Sequence, residues 1–95
     1  MNSRKLKSYI NKRLKHSRLK NRIKILDVKS DHHTSKYDIT VHFLDWYFID
    51  LEFINMSGQD KMIENILRFF RSLSDGAYIS EIRGNRIHIG LHNNF

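Results

Sequence analysis

Between residues 37 and 53 apolar side chains take every second position in two runs: Tyr37, Ile39, Val41, Phe43, then Tyr47, Ile49, Leu51, Phe53. Successive side chains on a strand point to opposite faces, so this alternation specifies strands buried on one side only. A three-residue loop, Leu44-Asp45-Trp46, pairs Phe43 with Tyr47, Val41 with Ile49, Ile39 with Leu51 and Tyr37 with Phe53. That register keeps both apolar sets on one face, whereas a two-residue turn at Asp45-Trp46 would mix the faces. A sheet of this kind must be covered on its apolar side, and two helical patterns in the chain can do so.

The clearer helical pattern follows Ser57, which reads as an N-cap with Asp60 three positions on. Met62, Ile63, Ile66, Leu67, Phe69, Phe70 and Leu73 make a wide apolar face, and Asp75-Gly76 ends the helix. The second pattern lies near the start, where Leu6, Tyr9, Ile10 and Leu14 recur at helical spacing behind Ser3 as N-cap. This helix is expected from about residue 3 to about 17, with Tyr9 as a core residue; a basic connector follows. Arg22–Lys29 reads as a first strand, and the change of parity between Ile25 and Leu26 predicts a bulge or burial on both faces. Gly84-Asn85 is a good hairpin turn between 77–83 and 86–92. Its register would put Ile82, Ile87, Ser80, Ile89, Tyr78 and Leu91 on the core face.

The expected fold is therefore an α+β domain of order α-β-β-β-α-β-β, an antiparallel sheet with two helices on one face. At 95 residues the whole chain, 1–95, makes one small domain, a basic helix followed by a compact body over about 22–92. Cysteine is absent, which removes disulfides and thiolate metal sites. The longest apolar run, Trp46-Tyr47-Phe48-Ile49, is far too short to span a bilayer, and no signal peptide pattern opens the chain. A soluble, cytoplasmic protein is the expectation.

Charge is distributed very unevenly. Residues 1–24 contain ten lysines and arginines and no acid, while residues 25–95 contain seven basic against ten acidic residues, a net of −3. Such segregation points to an electrostatic partner surface more directly than the overall +7 does. The residues expected to contact phosphate are Lys5, Lys7, Lys12, Arg13, Lys15, Arg18, Lys20 and Arg22.

Other chemistry is weakly signalled. Asp50, Glu52 and His42 would share the open face of the first hairpin, but no spacing motif supports a metal there, and no metal or cofactor is expected. His88 and His92, four apart on a strand, would lie about 13 Å apart, too far to share an ion. The four glycines are scattered, so no phosphate-cradling loop is present. The order of the first five elements resembles that of double-stranded-RNA-binding domains. Those domains carry a lysine-rich run at the start of their second helix, where this chain has Gly58-Gln59-Asp60-Lys61. Ser30-Asp31-His32-His33 is similar to the histidine loop of the HicA family of toxin ribonucleases, without that loop's glycine.

Taken together, these features predict a small non-enzymatic protein that binds nucleic acid, RNA ahead of DNA, through its basic helix. An alternative is a regulatory or inhibitor protein whose basic helix docks an acidic partner, or whose exposed sheet face, with Trp46, Phe48, Ile54 and Ile79, supplies the contact or forms a homodimer. A ribonuclease using His32 or His33 as base, with Lys29 or Lys36 near the phosphate, ranks behind both.

Overall fold

The computed structural model describes residues 2–32, 45–54 and 59–92. Within them the order is α1 (Ser3–Leu14), β1 (Ile23–His32), β2 (Asp45–Phe53), α2 (Gln59–Leu73), β3 (Gly76–Arg83) and β4 (Arg86–His92). The strands form one antiparallel sheet in the order β1-β2-β4-β3, and the two helices cover one face. This is the α+β class expected. The strand read at 37–43 and the N-cap read at Ser57 lie outside the described residues.

The register of β2 overturns one expectation. Ile49 pairs with Val28 of β1 on one side and with Ile89 of β4 on the other, and Leu51 pairs with Ile25 and Ile87. Both edges of β2 are thus occupied, by β1 and β4, and Asp45 and Trp46 belong to the strand rather than to a loop. The alternation identified the buried face of β2 correctly but could not choose between two partners of the same periodicity.

The core is a single cluster. Leu6, Ile10 and Leu14 of α1 and Met62, Ile66, Phe70 and Leu73 of α2 pack on Ile23, Ile25 and Val28, on Tyr47, Ile49, Leu51 and Phe53, and on Ile87, Ile89 and Leu91. The bulge foreseen in β1 falls between Ile25 and Asp27, which lets Ile25 and Val28 face the helices despite their odd separation. A second bulge between Ile79 and Glu81 was not foreseen. It pairs Ile79 with Ile89 and Tyr78 with Gly90, so Ala77 and Ile79 turn inward, while Tyr78 is exposed and Ser80 leaves the core face. The expected core roles of Tyr78 and Ser80 are corrected accordingly, and so is Ile79 as an open-face residue. Ile82 pairs with Ile87 as read but stays 45% exposed near the turn.

Tyr78 can cross β4 because Gly90 has no side chain: a Cβ there would lie 2.5 Å from the tyrosine ring. Trp46 meets Tyr78 and His92 edge-on, with centroids 6.0 and 5.1 Å away. Gly84 turns the second hairpin with φ +60, the left-handed conformation that glycine adopts without strain.

The helix that carries the charge is seated by its apolar stripe, with Ile10 completely buried. Ile10→Ala is expected to lower the unfolding free energy by about 2–5 kcal/mol in urea denaturation. A loss below about 1 kcal/mol would mean that α1 is not packed as described.

Candidate nucleic-acid interface

The first 22 residues form an ordered unit from Asn2 onward. Asn2 rather than Ser3 caps α1, its Oδ1 accepting from Lys5 N at 2.9 Å. The helix stops at Leu14, earlier than expected, because Ser17 closes a turn there: its hydroxyl donates to Leu14 O at 2.9 Å and accepts from Leu19 N at 3.1 Å. Leu19 is 4% exposed and belongs to the core, an anchor that the helical spacing did not reveal. Asn21, at φ +62, then redirects the chain into β1, and Arg22 O accepts from Ile54 N at 2.9 Å. The connector between α1 and β1 is a fixed turn, held at both ends.

On α1 the stripe of Leu6, Ile10 and Leu14 leaves the opposite half of the helix to solvent. Arg4, Lys5 and Lys12 are exposed on that half, Arg13 is exposed on the flank of the stripe and Lys15 just past the helix end, and Arg18, Lys20, Arg22 and Lys24 continue the exposed series along the turn and into β1. Seven of the eight residues assigned to phosphate contact therefore lie on this surface. Lys7 differs: it is half-buried, and its Nζ donates to Leu26 O at 3.3 Å, at the β1 bulge. Its place holds the helix to the sheet. Lys24 is exposed in β1 between the inward-facing Ile23 and Ile25, and its register partner across the strand pair is Glu52. Tyr9 is 36% exposed, not core, and at helical spacing its neighbours are Lys5, Lys12 and Arg13. The mixture of apolar and polar edges in tyrosine misled the spacing argument.

Among the described residues the ion pairs are Lys29–Asp27, Arg68–Glu64, Arg83–Glu81 and His88–Asp50, and none of them draws on residues 2–24. All are partly or largely exposed pairs, each worth at most about 1 kcal/mol. The carboxylates Asp27, Asp50 and Glu81 sit with His88 in one row across the open sheet face, opposite the face that the helices cover. Lys29 beside Asp27 offsets part of the like charge that faces across the strands there.

Beside α1 lies an open groove of about 960 Å³. Leu14, Ile23 and Ile25 form its floor, and Ile54, 59% exposed, stands at its wall. Lys15, His16, Lys20 and Lys24 border it, with Asn11 and Asn21. Sequence reasoning missed this concavity because it joins a helix end, a turn, an edge strand and the residue after β2.

The other candidates fare differently. Among the described residues no three His, Asp or Glu side chains are grouped to hold a metal ion, and His42 lies outside them. His33 and Lys36 also lie outside; His32 ends β1. No helix among the described residues is long and apolar enough to cross a membrane. Comparison of the chain with protein-family models, with characterised proteins and with solved structures finds no match.

Because the outward cations have no acidic partner among the described residues, removing them should not unfold the domain. The Lys12→Ala, Arg13→Ala double variant is expected to stay within about 0.5 kcal/mol of the parent stability, whereas Lys7→Ala should lose about 0.5–1.5 kcal/mol with its hydrogen bond. Urea titrations of both variants check this; a larger loss for the double variant would reveal internal partners for the outward pair.

Proposed function

We propose that the protein binds nucleic acid through the cationic face formed by α1, the turn after it and the start of β1. The observation that carries this reading is that Lys5, Lys12, Arg13, Lys15, Arg18, Lys20 and Arg22 are exposed, free of acidic partners among the described residues, and fixed on one folded unit. Gathering like charges raises the energy of the folded protein, and a phosphate backbone relieves that repulsion while its own counterions are released. A pre-ordered face also loses less conformational entropy on binding than a flexible arm would. The exposed Tyr9 among Lys5, Lys12 and Arg13 adds an aromatic surface of the kind that bases stack on. Contacts of this composition read phosphate and shape rather than base sequence.

Deleting the basic segment would be a poor test, because Leu6, Ile10, Leu14 and Leu19 belong to the core. Point substitutions avoid the difficulty. RNA binding, followed by fluorescence anisotropy across a salt series, is expected to weaken along a straight line of log affinity against log salt. Replacing Lys5, Lys12, Arg13 and Arg18 together by alanine should flatten that line by about 0.7–0.9 for each phosphate that the variant no longer neutralises, without altering the circular-dichroism spectrum. Binding independent of salt, or unchanged in the quadruple variant, would remove the reading.

The open sheet face supports a second reading, contact with a protein partner or with another copy of this chain. Tyr78, 43% exposed, lies there beside Trp46 and Phe48, and aromatic side chains of this kind are enriched at interfaces. Light scattering over a range of concentrations separates the two: self-association through this face should be lost in Tyr78→Ser and unaffected by the quadruple α1 variant.

A further inference from the structure

The cationic face has a concave part, and its lining constrains which form of nucleic acid it suits. We infer that the groove beside β1 accommodates an unpaired nucleotide, so that the protein prefers single-stranded to duplex nucleic acid; this rests on the phosphate-binding reading above. A duplex keeps its bases stacked inside and offers a protein surface mainly phosphate and sugar, for which the convex, lysine-studded back of α1 would suffice. The groove offers something else. Its volume of about 960 Å³ is in the range of sites that enclose small molecules, and its floor and wall are aliphatic.

Ile54 is the most exposed large hydrophobic side chain among the described residues, and it stands in a concavity bordered by Lys15, Lys20 and Lys24. Apolar surface flanked by ammonium groups complements a ligand with a flat, poorly hydrated part and an anionic part close by. A nucleotide with its base turned out of the stack has both: the base face against Ile54, the flanking phosphates on the lysines. Asn11 also lines the groove, and an asparagine amide carries both a donor and an acceptor of the kind a base edge pairs with. The turn that closes the groove is fixed by Ser17 and by the Arg22–Ile54 backbone hydrogen bond, so the concavity exists before any ligand arrives.

Electrostatics alone would give the opposite preference, because a duplex carries the denser charge. That makes strand preference a discriminating measurement. Anisotropy titrations of the full chain would use a uridine-rich RNA of about 12 nucleotides, the thymidine-rich DNA of the same length, and an RNA duplex of equal length, at one salt concentration. Both single strands are expected to bind about tenfold more tightly than the duplex. Ile54→Ser should weaken single-strand binding about fivefold and leave duplex binding unchanged, with Ile54→Leu restoring it. Ile54 is largely exposed, so neither change should unfold the domain. Duplex binding as tight as single-strand binding, or an Ile54→Ser variant indistinguishable from the parent, would overturn the groove while leaving the cationic face intact. Failure of all three probes to bind would overturn both.

Discussion

The structure depends on the seating of α1. Leu6, Ile10, Leu14 and, past the helix end, Leu19 fit against the sheet, and through them a segment that repels itself electrostatically becomes part of the fold. An isolated helix of this length is marginal in water, and ten like charges over 24 residues oppose any compact form. Burial of apolar surface offsets both. Each fully buried aliphatic side chain contributes about 1.5–3 kcal/mol, so four anchors outweigh the modest repulsion between solvated cations. Without them the cations would belong to a loose tail.

From that seating the arrangement of charge follows. The stripe that packs inward directs the lysines and arginines outward, on the side of the sheet that the helices occupy. The row Asp27, Asp50, His88 and Glu81 lies on the other face. The positive surface is therefore left without carboxylates from that row, the condition under which it can attract a polyanion from a distance and meet it without first breaking internal pairs. The turn at Ser17 and the left-handed Asn21 extend the same surface from the helix to β1, and the groove arises where the three meet.

How much of this was legible in the sequence differed by residue. Two-residue and 3.6-residue periodicities identified both helices, the buried side of β2, the Gly84-Asn85 turn and, as one of two readings, the β1 bulge, because each depends on neighbours in the chain. Pairing depends on residues far apart, and there the reading failed: Ile49 matches Val41 and Val28 equally well in pattern. The bulge at Ser80 left no mark, since Tyr78 and Ile79 are both plausible core residues; it turns the tyrosine to the open face, where the absence of a side chain at Gly90 lets its ring lie across β4. At the candidate site the identities of the cations were legible. Their freedom from acidic partners among the described residues, the structural use of Lys7, and the groove with Ile54 depend on tertiary placement, which no local pattern encodes.

The central claim is that residues 4–24 present a fixed surface on which a polyanion lands. Mapping backbone amide shifts by nuclear magnetic resonance, as a single-stranded RNA is titrated into isotope-labelled protein, tests it most directly. Perturbations should concentrate on α1, the turn from Lys15 to Arg22, Lys24 and Ile54, while the amides of Trp46, Phe48, Tyr78 and Gly90 stay in place. Shifts centred on those open-face residues, or no saturable shifts at all, would contradict it.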